Sequence, residues 1–239
     1  MNFRNRKSIL VFGLLMIAFT FTQFAFAQTA KPSAKEIKEA KKRSEKAAET
    51  IHEIMRIAEK SIPQDLLAKA KAVVVFPGSL KLSFIFGGQG GSGVAISRLA
   101  KGWSAPAYLN MGGGSFGPQI GGQSTDYVLL IMNDEGLKKL LQDKFEIGGE
   151  GSIAAGPVGR TAAASTNARM DAEILTYSRS KGLFAGVALK GVVITQDDSL
   201  NRAIYGKTAK QILVEEPILW SNAPEAVRAF PIMVNRYSR

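Results

Sequence analysis

The sequence predicts an α+β domain: an N-terminal helix, then a Gly-rich, curled and mainly antiparallel sheet or small barrel with short helices packed on it. Three observations predict it. Ile37, Ala40, Ser44, Ala47, Ile51, Ile54 and Ala58 alternate spacings of three and four, the period of one helix face. Runs such as 72–76 and 126–132 are β-branched or apolar at strand length. Finally, 12 of the 24 glycines fall in the 36 residues between Gly87 and Gly122, where they permit bulges, bends and close strand approach.

The elements follow in order. Residues 1–27 read as a cleaved signal peptide. Arg4, Arg6 and Lys7 precede an apolar stretch over 9–21, and Ala25-Phe26-Ala27 supplies the small-x-small site. An uncleaved anchor helix is the alternative, but the apolar core is short for a membrane span. Cleavage leaves 212 residues at net charge +8, since the removed segment carries three of the eleven positive charges and no acid. That balance suits anionic surfaces, and export favours phospholipid or lipopolysaccharide over nucleic acid. Cysteine is absent, which excludes disulfides and an N-terminal lipid anchor on cysteine.

After a polar lead, residues 34–61 read as an amphipathic helix that Pro63 terminates. Lys38, Lys42 and Lys46 form one i,i+4 ridge on it, flanked by Lys41 and Arg43. The helix either packs its narrow apolar stripe on the domain or lies on an anionic bilayer. A short helix over 64–71 follows. Strands are predicted over 72–76, closed by a Pro77-Gly78 turn, and over 80–86, 94–99, 103–111 and 126–132. The last is apolar on both faces and so central. Asn133-Asp134-Glu135 caps a helix to about residue 142. Strands over 145–147, 151–155 and 161–165 come next, then a hairpin of 172–178 with 183–195 around Lys181-Gly182. Asp197-Asp198-Ser199 caps a helix ending at Gly206. The tail, 208–239, packs across the domain or trails from it. The chain thus divides into 1–27, 28–61, 62–207 and 208–239.

Motifs that suggest chemistry fail on context. Gly88-Gln89-Gly90-Gly91-Ser92-Gly93 matches the dinucleotide glycine pattern, but Val94-Ala95-Ile96-Ser97 after it reads as strand, not as the helix whose N-terminus would face a pyrophosphate. Gly113-Gly114-Ser115-Phe116-Gly117 matches a nucleophile elbow. The chain's one histidine, His52, lies on the first helix, away from it. One histidine and no cysteine leave almost no zinc ligands, and Asp197, Asp198 and Asn201 lack calcium-loop spacing. No catalytic residue, cofactor or metal site is predicted.

Three segments carry a family resemblance: Trp103-Ser104-Ala105-Pro106, Gly156-Pro157-Val158-Gly159-Arg160, and Tyr177-Ser178-Arg179-Ser180-Lys181-Gly182-Leu183-Phe184-Ala185-Gly186-Val187. In this order they resemble the SYLF domain, over about residues 68–206. The resemblance implies a lipid-binding or actin-binding module, associated with phosphoinositides in eukaryotic members, and no reaction. Beside it stands the reading of the residues themselves. Arg160, Arg179, Lys181 and Lys207 lie next to turn glycines or at strand ends and would form a headgroup site if their loops gather. Alternatively, Arg160 and Arg179 pair with Asp171 or Glu173 to brace the hairpin. Leu183 and Phe184 are either a membrane-inserting tip or two core residues. The expected function is non-catalytic binding of an anionic phospholipid membrane through Lys38, Lys41, Lys42, Arg43, Lys46, Arg160, Arg179, Lys181 and Lys207. The alternative is a protein-interaction module, and the oligomeric state is unspecified. The expected location is periplasmic or secreted, peripheral to a membrane.

Overall fold

A computed structural model describes residues 31–57, 61–83, 86–116, 121–149, 152–159, 172–180, 183–187, 189 and 191–239. Helix α1 (Ala34–Met55) starts in a capping box: the Ser33 hydroxyl accepts from the Glu36 N–H at 3.3 Å, and the Glu36 carboxylate accepts from the Ser33 N–H at 2.7 Å. Its stripe Ala40, Ser44, Ala47, Ile51 and Ile54 is buried, while Ile37 is exposed. The helix stops at Met55, short of the expected residue 61. Pro63 therefore ends nothing; it is the N-cap of α2 (Gln64–Lys69), an entry that its fixed φ and missing N–H suit.

Ten strands form one sheet: β1 (Ala72–Ser83), β2 (Phe86–Leu99), β3 (Gly102–Trp103), β4 (Ala107–Phe116), β5 (Gly121–Ile131), β6 (Phe145–Ile147), β7 (Ile153–Ala155), β8 (Ile174–Ser180), β9 (Leu183–Gly186) and β10 (Val192–Gln196). Their order is β6-β10-β4-β2-β1-β5-β8-β7, with β3 on β2 and β9 on β8. Every pairing is antiparallel except β7 with β8. The sheet curls almost closed, and the class is α+β. β1 is central, and all five residues of Ala72-Val73-Val74-Val75-Phe76 are fully buried.

Two strand expectations are corrected. Pro77-Gly78 is a bulge, not a turn. Gly78 takes φ +60, its N–H donates to Asp126 Oδ1 at 2.7 Å, and pairing resumes at Ser79 opposite Thr125. The predicted pieces 80–86 and 94–99 are thus parts of two long strands, and the 88–93 glycines lie inside β2. The hairpin of β8 and β9 exists, but residues 183–195 are not one strand. On the outer side of β8, β7 already pairs with Ile174, Leu175 and Thr176, so β9 finds room only beside residues 177–180. The chain then crosses to the far side, where β10 pairs with β4 and β6.

Helix α3 (Asp134–Leu140) is capped by the Asn133 side chain, which accepts from the Gly136 N–H at 2.8 Å. Helix α4 (Asp198–Tyr205) is capped by Asp197 and ends at Gly206 with φ +68. Its buried Asn201 extends the sheet's pairing: the side chain accepts from the Tyr108 N–H at 2.8 Å and donates to the Tyr108 carbonyl at 2.9 Å. The tail packs across the domain through a π-helical turn (Gln211–Glu215) and α5 (Ala229–Tyr237), burying Ile212, Leu213, Val227, Phe230 and Val234. The Ser44 hydroxyl donates to the Val227 carbonyl at 2.6 Å and accepts from the Phe230 N–H at 3.1 Å, which ties α1 to this tail. Residues 32–239 form one compact unit, with helix and tail in the same core as the sheet.

Two buried phenols set an alkaline limit. Burial raises the pKa of Tyr108 and of Tyr205, whose ring edge is partly exposed but whose hydroxyl is covered. With the folded pKa above the unfolded one, stability is intact below about pH 10 and falls as pH rises past it, by up to about 1.4 kcal/mol per pH unit per phenol. Tyr127, also buried, is raised in the same direction; denaturant melts at pH 9, 10 and 11 should show this loss, and Tyr205→Phe should reduce it.

Candidate functional site

The basic residues that the sequence singles out divide into two sets. Lys38, Lys42 and Lys46 stand exposed along one ridge of α1 about 12 Å long, and none forms a salt bridge within 4 Å among the described residues. Exposed Lys35 continues the ridge one turn toward the N-terminus. Lys41 is also exposed, 3.7 Å from Glu45. These side chains face outward because the opposite stripe of the helix is used on the core.

The other set is committed to the fold. Arg43 turns inward, with its side chain 14% exposed; it donates to Glu39 at 2.8 Å and to Asp197 Oδ2 at 2.9 Å, clasping α1 to the cap of α4. Arg179 is a corner post. Its Nε and Nη2 reach Asp126 Oδ2 at 2.8 and 2.6 Å, and its Nη1 binds Glu53 of α1. Asp126 in turn holds the bulge N–H of Gly78. Burial pulls the Arg179 pKa down. Arg179 thus braces the structure, but its partners are Asp126 and Glu53. Glu173 instead binds Lys139 at 2.9 Å. Lys207 is paired with Glu216. Arg160, Lys181 and Asp171 lie outside the described residues, as does the predicted strand 161–165.

The signature segments are largely internal. The Tyr177 ring stacks on Phe184, centroids 5.4 Å apart and planes 8° from parallel, and fills the space beside Gly156. Phe184 is a packing residue, whereas Leu183 is 73% exposed. Trp103 is fully buried, donates from Nε1 to Ser238 Oγ at 3.1 Å, and lies 4.1 Å beneath the Arg98 guanidinium. Arg98 also donates to the Leu67 and Ala70 carbonyls that close α2, both at 3.0 Å. His52 is held 2.9 Å from the Tyr237 hydroxyl. Ser115 lies within strand β4 and is not at a helix N-terminus. Among the described residues, no group of three His, Asp or Glu side chains is placed to hold a metal, and no helix is long and apolar enough to cross a membrane.

The sequence reading passes over a second gathering of cations, in which Lys138, Arg202 and Lys210 line one cleft. They come from α3, from α4 and from the approach to the π-helical turn, so no local spacing connects them.

The family profile described as "Ysc84: Las17-binding protein actin regulator" matches residues 112–233, just over half of the chain. LAS seventeen-binding protein 3 of Saccharomyces cerevisiae is 41% identical over 162 residues, covering 65% of this chain and 35% of that protein. SH3 domain-containing protein PJ696.02 of Schizosaccharomyces pombe is 40% identical over 162 residues, covering 65% of this chain and 37% of its own length. SH3 domain-containing YSC84-like protein 1 of Homo sapiens is 31% identical over 196 residues, covering 79% and 56%. This chain therefore spans about a third of the yeast relatives and just over half of the human one. On the profile match over more than half of its length, the chain belongs to the Ysc84, or SYLF, family.

Proposed function

We propose that the protein is a non-catalytic, exported binder of anionic phospholipid that docks on a membrane surface by the outer ridge of α1. The observation that carries this reading is the row Lys38, Lys42 and Lys46, exposed and unspent on internal salt bridges among the described residues. Because the apolar stripe of α1 is in the core, the helix docks electrostatically and does not insert. Each such cation contributes roughly 1 kcal/mol near an anionic surface, so four or five hold the protein weakly and salt-sensitively. The signal-like N-terminus points to phosphatidylglycerol, cardiolipin or lipid A as the lipid met. In sedimentation with vesicles, the protein should pellet with phosphatidylglycerol or cardiolipin, not with neutral lipid, and should be released by high salt. The triple variant Lys38→Glu, Lys42→Glu, Lys46→Glu should abolish pelleting while the protein stays folded by circular dichroism. Unchanged pelleting would remove the ridge from the mechanism.

A protein-interaction role is the second reading. The family description and the name of the yeast relative, each naming a bound protein, favour it. Co-sedimentation with filamentous actin in the absence of lipid tests it: saturable, stoichiometric pelleting would support the role, and none would discard actin as the partner.

A further inference from the structure

Helix α5 has a face that the core does not use. Phe230, Pro231 and Val234 are buried, while Ile232 and Arg236 stand exposed one turn apart, Asn235 lies beside them, and Arg239 follows the helix cap at Ser238. With Trp220 of the short helical turn Trp220–Asn222, these four residues line a groove of 370 Å3. Its floor is apolar: Trp220 is half-buried and Ile232 is 43% exposed. Its polar groups are donors without acceptors. Arg236 and Arg239 make no hydrogen bond or salt bridge among the described residues, and the indole N–H of Trp220 has no partner there either. A third unpaired cation, exposed Lys101, adjoins Gly102, where a Cβ would stand 3.8 Å from the indole nitrogen. Among the described residues, no acidic side chain lines the groove. The α-carboxylate of Arg239, the last residue of the sequence, and the partial negative charge of the helix's carbonyl end offset only part of these three cations, so the surroundings of Trp220 stay positive.

An indole and two guanidinium forks around a concave apolar floor have the composition of a protein-binding hot spot. The forks match carboxylates in bidentate geometry, whereas the outer ridge of α1 is built of lysines, which act as point charges. A concave floor takes up one side chain; the plane of a bilayer would leave it empty. We infer that this groove docks a linear acidic segment of a partner protein, with one bulky apolar side chain on Trp220 and Ile232 and flanking carboxylates on Arg236 and Arg239. The site deepens the protein-interaction reading and rests on it for the class of partner, not for actin.

Fluorescence anisotropy tests the groove with a defined probe, a labelled peptide of one leucine flanked on each side by aspartates in a glycine-serine chain. The protein should bind this peptide. The double variant Arg236→Gln, Arg239→Gln, folded by circular dichroism, should bind it at least tenfold more weakly, since each charge-assisted bond lost is worth about a factor of ten. Peptides with asparagine for aspartate, or glycine for leucine, should also bind several-fold more weakly. Trp220 supplies an independent signal. The other tryptophan, Trp103, is fully buried, so a change of emission on adding unlabelled peptide reports the groove, and Trp220→Phe should remove it. No binding, equal binding of the asparagine or glycine peptide, or unchanged binding by the double variant would overturn the site. Loss of pelleting with phosphatidylglycerol vesicles in the double variant, with no peptide binding by the parent protein, would overturn it in favour of a lipid contact. Peptide binding by a protein that does not pellet with filamentous actin would uphold the groove and discard actin alone.

Discussion

Gly186→Ala is expected to lower the melting temperature by about 10 °C. An added Cβ would fall on the Gly156 carbonyl, within van der Waals overlap of its oxygen and 2.9 Å from its carbon, and both are backbone atoms that cannot rotate away. Overpacking of this kind costs about 3 kcal/mol at its upper end, and a domain of this size loses roughly 2–4 °C per kcal/mol. The cause is local. Gly156 lies against the Tyr177 ring, and β9 lies beside β8, so three segments of the chain converge where Gly186 meets Gly156. Gly114→Ala is the control. Its Cβ would meet nothing within 4 Å, and alanine in a strand restricts the unfolded chain, so the change should be neutral or slightly stabilising. Thermal melts of the two variants decide the matter, and equal melting temperatures would refute the close-approach argument.

Arg179→Gln is expected to cost about 2 kcal/mol, between the roughly 1 kcal/mol of an exposed pair and the roughly 3 kcal/mol at which the range for buried pairs begins. The Asp126 arm dominates, because the Asp126 side chain is only 15% exposed, whereas Glu53 is 37% exposed and solvent screens it. Without the guanidinium, Asp126 keeps one N–H partner, Gly78, and loses its counter-charge. Adding Asp126→Asn should restore at least half of the loss, since the amide oxygen still accepts from Gly78 and no charge is left buried. Urea denaturation at neutral pH of both single variants and the double variant measures this coupling. A loss for Arg179→Gln no larger than that for exposed Lys38→Gln would mean that the corner post carries no load. The folded fraction of Arg179→Gln should still pellet with anionic vesicles, because this arginine faces inward.

How far the site was legible in the sequence follows from the range of the forces involved. The ridge of lysines on α1 was readable because helical period is a local property: residues four apart share a face whatever the helix touches. The caps at Asn133 and Asp197 are similar, each settled within four residues. The partners of Arg43 and Arg179 were not readable, although bracing was one of the two readings open for Arg179. Each arginine sits among residues that look solvent-facing, and each turns inward because a carboxylate far along the chain waits there, Asp197 for one and Asp126 for the other. Glycine context was half readable. The crowding of glycines announced a curled sheet, but it did not say that Gly186 is forced by a neighbouring backbone while Gly114 faces open space.

By itself, then, the sequence determined the α+β class, the amphipathic first helix with its outward lysines, the helix caps and the glycine-rich sheet, because period, capping and backbone freedom act over a few residues. Tertiary structure alone decided that Pro77-Gly78 is a bulge, that β10 leaves the β8–β9 hairpin for the far side, that Arg43 and Arg179, two of the predicted lipid-binding residues, turn inward onto Asp197 and Asp126, and that Lys138, Arg202, Lys210 and Gln196 meet in one cleft. Each of these depends on partners tens of residues or more away, and only the closed packing of the chain brings those charges and edges within reach.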